Sequence, residues 1–537
     1  GHHVARAYLL LSLLSPLSVG ATRLSLSARG PSLHVPRVQK EMRNGPFSRK
    51  LRKKIGSGAE VRAEDECWNC VVLGDLHLDE SDMGSHHKAR EEIKQLLKTE
   101  AFGTPPSSKS HLVSLGDLGA YGSAGTTQSF ELAREYLDGF GIGYNLVTGN
   151  HDLEGMDEFK TDRENFKVFK EIFEVEGENG QFSTQIAPNV LLVGLSTERF
   201  RDNKWSSHEV YISGKQLDWF QDVLNRHPSE DGWNIIVFSH APPMGSGLRV
   251  LNSVHVRNTC AWLNHAQIPS SRRAFHRLAR QHGGVVAWFS GHFHLSHDYD
   301  DSISMQRGLH PGSTTAFVQV GVIGDKSTRD GRRQSRVLSC DSDMLRIFTL
   351  NHHHQTESER RKPRLDLEIP LSMAKRARLA AMGSLPSPLP VPETERISEE
   401  DNVWFWAKTP QQDDGCYLPE AVGGSMVDQG VEGAICWWHM ANGAVLGVHD
   451  GLLVEYDSET HAPVGLLVDK EDMIGRHVHI DPDGETVRLI PLNTEGPEES
   501  IELRPEKDGS YFQQFQENKW KRHLKKKAQI APQEVSS

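Results

Sequence analysis

Five short strings of chemically able residues punctuate the chain between positions 74 and 294: Gly74-Asp75-Leu76-His77, Gly116-Asp117, Gly149-Asn150-His151-Asp152, Ser239-His240 and Gly291-His292-Phe293-His294. Together they supply carboxylates, imidazoles and an amide. Asp75 and His77 stand two apart, as do His292 and His294, so each pair projects the same way from an extended segment and can reach one site. The glycines let the chain turn sharply where these side chains emerge. One such string alone carries little information, because a lone histidine is most often a satisfied structural residue. Five in order are hard to obtain by chance.

The strings need elements that bring them together. Each follows a short apolar run, at Cys70–Gly74, Leu112–Leu115, Tyr144–Thr148, Ile235–Ser239 and Val285–Ser290, with a further run at Val190–Leu195. Between the runs, Lys88–Thr99, Phe130–Leu137 and Gln216–Leu224 carry apolar residues at helical spacing. This β-α-β alternation predicts an α/β fold. In an open α/β sheet ligands collect outside the carboxyl ends of the strands, so strings far apart in sequence can converge there. After His294 the texture is β-rich (Thr314–Val322, Arg336–Leu338, Met344–Leu350), which is expected to complete a second sheet. Residues 351–400 hold His352-His353-His354, a charge cluster and a Pro-rich run, the composition of a linker around one helix at Leu371–Ala381. The His triplet reads as solvated rather than as a metal tract. Residues 401–517 alternate apolar and polar positions between turn signals and predict a small β-rich domain. A basic tail, 518–537, closes the chain.

The ordered strings resemble the calcineurin-like metallophosphoesterase superfamily, over about Cys70 to Leu350, and assign residues 66–350 to that domain. The resemblance implies two mixed β-sheets sandwiched between helices. It implies that Asp75, His77, Asp117 and His294 hold one metal, that Asp117, Asn150, His240 and His292 hold a second, and that Asp117 bridges them. Oxygen and imidazole donors without thiolate suit two divalent or trivalent ions of Mn, Fe or Zn. The implied activity is hydrolysis of a phosphodiester or phosphomonoester by in-line attack of a metal-bridging hydroxide. His151 would protonate the leaving oxygen, with Asp152 either orienting it or serving as a turn residue. The pattern is most similar to class III cyclic-nucleotide phosphodiesterases. Gly116-Asp117-Leu118-Gly119-Ala120-Tyr121-Gly122 departs from the Asp-Arg-Gly continuation of the protein Ser/Thr phosphatases. Tyr121 stands four residues after Asp117, not the three of purple acid phosphatases. A metal-dependent protein phosphatase using the C-terminal domain to hold its substrate, and a non-catalytic scaffold, are the alternatives.

Other features are less specific. Arg249, His255 and Arg257 fall in a Pro- and Gly-containing stretch after His240 and form a candidate substrate loop, since guanidinium matches phosphate oxygens. Cys67-Trp68-Asn69-Cys70 has the spacing of a redox or zinc half-site but no companion pair. The chain has 537 residues and a net charge of -12, while residues 1–57 alone carry about +10. The acidic remainder argues against a nucleic-acid surface, and no transmembrane segment is expected in the mature protein. Tyr8 to Val19 form an apolar h-region, and the Ser- and Arg-rich Thr22 to Ser57 resemble a transit peptide. A bipartite leader to a plastid is one expectation for 1–57. A plain secretory signal with a basic spacer is the other.

Overall fold

The computed structural model describes residues 67–397, except 107, 156, 199–209, 251–254, 256–259, 265–272 and 354–361, together with parts of 436–511. The expected leader and basic tail lie outside the described residues, as does the first part of the C-terminal unit.

Strands β1 (Trp68–Leu73), β2 (Lys109–Ser114) and β3 (Gly143–Leu146) run parallel, in register Val71↔Leu112 and Leu112↔Tyr144. Helices α1 (Gly84–Leu96) and α2 (Thr127–Asp138) connect them, and α3 (Asp162–Phe173) leads to a second sheet. That sheet contains β4 (Phe182–Ala187), β5 (Val190–Leu195), β6 (Asn234–Ser239), β7 (Val285–Ser290), β8 (Ile303–Arg307) and β9 (Thr314–Gln319) in the order β4-β5-β6-β7-β9-β8. In it β5, β6, β7 and β9 are parallel, and α4 (Gly214–Arg226) and α5 (Ala274–His282) make the crossovers before β6 and β7. Helix starts are written locally: Thr126, Thr161 and Ser213 accept hydrogen bonds from the backbone N–H of Ser129, Glu164 and Gln216.

Strands covered on both faces explain the unbroken apolar runs. Val71 and Leu73 pack outward with α1, α2 and α3, including Ile93, Phe130 and Phe169. Cys70 and Val72 point inward and meet Ile236, Phe238 and Phe289 of the other sheet. A third core, with Phe220, Phe275 and Trp288, lies between the second sheet and its helices. The layers are helix, sheet, sheet, helix.

Two expectations about the later chain change. Of the three β-rich pieces expected after His294, only the first, as β9, enters the second sheet, where β8 precedes it. Strands β10 (Gln334–Cys340) and β11 (Met344–Asn351) join the first sheet instead: β10 pairs antiparallel with β1, with Trp68↔Cys340 as a register pair, and β11 pairs antiparallel with β10. The first sheet also continues into the expected linker, where β12 (Arg364–Pro370) forms its edge. Charged neighbours obscured a period of two: Leu367 and Ile369 share the inter-sheet core, while Asp366 pairs with buried Arg336 and accepts from Thr349 at 2.5 Å. His352 is buried between Ser335 and Glu92, at 2.8 and 2.9 Å, rather than solvated. Helix α6 (Met373–Ala381) follows, at the place expected.

The described C-terminal residues form two antiparallel sheets. One contains β13 (Cys436–His439), β14 (Val445–His449), β15 (Leu452–Tyr456) and β16 (Pro463–Val468); the other contains β17 (Arg476–Ile480), β18 (Val487–Pro491) and β19 (Ile501–Leu503). Leu446, Leu453, Leu489 and Tyr511 share their core. Among the described residues, no helix is long and apolar enough to cross a membrane.

Candidate metal centre

Asp75 and His77 follow β1, Asp117 follows β2, Asn150 to Asp152 follow β3, His240 follows β6, and His292 and His294 follow β7. All five strings therefore leave the carboxyl ends of parallel strands, from both sheets, and meet. Four of the residues adopt a left-handed backbone that side chains ordinarily avoid: His77 (φ 42), Asp117 (φ 50), His292 (φ 71) and His294 (φ 55). Each such residue costs ~1–2 kcal/mol and persists only where its surroundings over-determine it. The surroundings do so. His77 N–H donates to Asp117 O at 2.9 Å, Asp117 N–H to Asp152 Oδ2 at 2.8 Å, and His292 N–H to Asp75 Oδ2 at 2.8 Å. Two glycines clear room for the carboxylates. A Cβ on Gly149 would stand 2.1 Å from Asp117 Oδ1, and one on Gly291 would stand 2.4 Å from Asp75 Oδ2.

The imidazoles are oriented by the backbone. His77, His240 and His294 donate Nδ1–H to the carbonyls of Gly119, Leu115 and Ser327, at 3.1, 2.9 and 2.8 Å. His292 donates Nε2–H to Cys260 O at 2.7 Å. A carbonyl only accepts, so each ring's proton is committed outward and its other nitrogen carries a lone pair inward. Those lone pairs face one another: His77 Nε2 lies 3.2 Å from His294 Nε2, and His240 Nε2 lies 3.0 Å from His292 Nδ1. Asp117 Oδ2, fully buried and without a hydrogen-bond donor, lies 3.3 Å from His240 Nε2 and 3.8 Å from His77 Nε2. Converging lone pairs around an orphaned carboxylate oxygen need a cation. Ligand atoms of Asp75, His77, Asp117 and His294 fall within 4.8 Å of one another, and so do those of Asp75, Asp117, His240 and His292. The charge balance agrees. Burial works against the charge on His240, but the Asp117 and Asp75 carboxylates outweigh it and push it up to about 9. Burial and neighbouring His294 hold His77 down at about 3, as a neutral donor.

Residues 69–296 match the family model described as calcineurin-like phosphoesterase. This segment is a calcineurin-like phosphoesterase domain. The chain is similar to the solved structure of a dimetal phosphatase from Danio rerio, with 12% identity, 57% of this chain and 99% of that chain covered, and a TM-score of 0.38. It is also similar to GAP50, the anchor in the inner membrane complex of Plasmodium, with 12% identity, 62% and 99% covered, and a TM-score of 0.32. A third is the NAD nucleotidase of Haemophilus influenzae, with 10% identity, 57% and 50% covered, and a TM-score of 0.30. No curated protein matches the chain.

Around the candidate metal centre the structure sorts the remaining candidates. Asn150 presents Oδ1 to His240 Nε2 at 3.0 Å, beside the second group of ligands. Asp75, expected on one side only, reaches both: its Oδ1 lies 3.2 Å from His294 Nε2 and 3.8 Å from His240 Nε2. Asp152 does not orient His151. Its oxygens accept from the backbone N–H of Asp117, Leu118 and Gly149, each at 2.8 Å, so it ties the β2 loop to the β3 loop. The orienting carboxylate is Glu154, whose Oε2 takes the His151 Nδ1 proton at 2.7 Å. Its signal was in the sequence, because residues three apart face each other across the single 3-10 turn His151–Leu153. Tyr121 is the other residue missed: its ring stacks on His77 at 4.5 Å and meets His151 edge-on at 5.2 Å.

Of the expected substrate-loop residues, Arg249 and His255 fall among the described residues. Arg249 is buried, donates to Asp301 at 2.8 Å and lies over the Tyr299 ring at 4.9 Å, so its guanidinium is paired rather than offered to a phosphate. His255 is buried, with its ring 4.5 Å from that of His292. Arg257 lies outside the described residues. Cys67 and Cys70 are buried and in no disulfide, and burial drives the Cys70 thiol far up, away from thiolate.

Proposed function

We propose that the chain is a dinuclear metal-dependent phosphoesterase. The observation that carries this reading is the sharing of Asp75 and Asp117 by two overlapping ligand groups, one completed by His77 and His294, the other by His240 and His292. Asn150 adds an amide oxygen to the second group. Mn, Fe or Zn would suit this donor set. Two such cations, when bound, would neutralise charge on the phosphoryl oxygens and make water nucleophilic near neutral pH.

The chain's own residues do the rest. Carbonyls of Gly119, Leu115, Cys260 and Ser327 hold the imidazoles with their basic nitrogens inward, so little reorganisation is needed on binding. Glu154 holds the His151 Nδ1 proton, which leaves Nε2 as the nitrogen that carries a proton to a departing oxygen. Such positioned acid catalysis contributes ~10²–10⁴-fold. The test is turnover of bis-p-nitrophenyl phosphate, p-nitrophenyl phosphate and cyclic nucleotides by the full chain, stripped with chelator and reloaded with Mn²⁺, Fe²⁺ or Zn²⁺. Metal-dependent hydrolysis of at least one ester is expected. Stoichiometric metal binding with no turnover of any ester would leave only the non-catalytic alternative.

A further inference from the structure

We propose that Tyr121 is the leaving-group specificity residue of this centre, and that the substrates it favours are phosphate esters whose leaving group presents an aromatic ring. The inference rests on the phosphoesterase reading above and deepens it.

Among the described residues four large apolar side chains are exposed: Tyr121 at 55%, Leu309 at 65%, Met382 at 71% and Leu389 at 46%. Tyr121 is the sole aromatic one, and it stands at the metal centre. Its loop is fixed. Leu78 and Gly119 form a parallel bridge, Ala120 N–H donates to Leu78 O at 3.0 Å, and Ser123 N–H donates to Ala120 O at 2.9 Å. The ring is therefore held out beside the site by the backbone, and its hydroxyl takes no hydrogen bond among the described residues. One face lies on His77, with an interplanar angle of 28°. The His151 ring stands nearly perpendicular to it, at 85°.

This placement sets what Tyr121 can meet. His151 is the group that reaches the departing oxygen, so the body of the leaving group must arrive alongside His151. Tyr121 borders that place and offers apolar, polarisable surface and no charge. An alkyl group would gain area burial there. A flat aromatic group gains that and an offset or edge-on ring contact in addition. Because the departing group stays at this wall while its bond to phosphorus breaks, the contact is held through the transition state, and it appears in kcat/KM.

The experiment compares phenyl phosphate with a fluorinated alkyl phosphate whose alcohol matches phenol in acidity, so that leaving-group chemistry is equal and shape differs. Metal-loaded wild type, Tyr121→Leu and Tyr121→Phe are assayed, with metal content measured on each preparation. Inhibition constants for phenylphosphonate and an alkylphosphonate give a readout independent of turnover. In Tyr121→Leu the phenyl-to-alkyl ratio of kcat/KM should fall about tenfold, and the preference for phenylphosphonate should fall with it. Tyr121→Phe should retain both preferences. If Tyr121→Leu slows both esters equally, or loses metal, the ring merely props His77 and the specificity role is refuted while the phosphoesterase reading stands. If wild type hydrolyses neither ester with any metal, the specificity role is refuted, and the phosphoesterase reading falls with it only where bis-p-nitrophenyl phosphate and cyclic nucleotides are also left intact.

Discussion

The two glycines that make room for the shared carboxylates offer a test that removes no functional group. In Gly149→Ala the new Cβ would lie 2.1 Å from Asp117 Oδ1, 2.7 Å from its Cγ and 2.8 Å from its N. Relief to an ordinary contact requires Asp117 to move by on the order of 1 Å, and displacements of that size at a reacting centre cost ~10²-fold in rate. The side chain cannot swing away without loss, because Oδ1 accepts the His151 N–H at 2.9 Å and the Asp117 N–H is held by Asp152 at 2.8 Å. Breaking one charge-assisted bond of this kind adds ~1.5–3 kcal/mol. Metal affinity should fall ~10–100-fold, as it does when the groups that position ligands are disturbed. Gly291→Ala should behave alike through Asp75, where the clash is at 2.4 Å. The control is Gly214→Ala, at the first position of α4, where a Cβ meets nothing within 4 Å and alanine favours the helix. Metal content after gel filtration, metal titration, kcat/KM on a p-nitrophenyl ester and urea unfolding are measured on all three. Gly149→Ala with wild-type metal content and turnover would refute the claim that this glycine exists to seat the shared carboxylate.

Asp117→Asn should abolish nearly all activity and lower metal content more than loss of His77 or His294, because it removes charge shared by both ligand groups; elemental analysis showing full occupancy with normal turnover would contradict that sharing. His151→Ala should keep its metal and slow alkyl esters ~10²-fold or more while p-nitrophenyl esters lose much less, since their leaving group needs no proton, and Glu154→Gln should show a weaker version of the same selectivity. Away from the centre, burial and nearby Arg280 hold His276 down at about 4 in the folded chain, against an ordinary value of 6.5. The unfolded chain therefore binds a proton that the folded chain refuses, so this site's stability is full above pH 6.5 and falls by up to ~3 kcal/mol as pH drops to about 4. His276→Leu, unfolded in urea with chelator present at neutral pH and near pH 4.5, should show a shallower acid decline than wild type; an equal decline would place the acid sensitivity elsewhere.

What was legible in the sequence depended on range. The strings Asp75-Leu76-His77 and His292-Phe293-His294 could be read because each lies directly beyond a strand buried on both faces, and such strands announce themselves as apolar runs. Strand β12 could not, because Arg364, Asp366 and Glu368 alternate with its core residues, and the partner that makes burying Asp366 tolerable, Arg336, is thirty positions away in sequence. For Asp152 the sequence leaves two readings open, orienting His151 or serving as a turn residue, and the structure favours the second. Adjacency to His151 does not decide between them, because the 3-10 turn rotates successive side chains apart and gives that contact to Glu154. Arg249 looked like a phosphate clamp until Asp301, which no local pattern connects to it, appeared against it.

The glycines and the left-handed residues join these observations into one account of how the centre is built. Gly149 and Gly291 belong to the same strings as the ligands, yet neither serves its own string; each yields space to a carboxylate from a different strand end, Asp117 and Asp75 respectively. Those carboxylates in turn accept the N–H groups of His151 and His292, the residues that lie one or two positions beyond the glycines. Each half of the centre is thus a reciprocal lock between two strand ends, in which one end supplies a carboxylate and the other supplies the gap and the donor that receive it. Such a lock explains why His77, Asp117 and His292 can remain in unfavourable backbone conformations: releasing any one of them would break hydrogen bonds belonging to another. The strain is therefore borne jointly by the two sheets, and the ligand geometry depends on their both being folded.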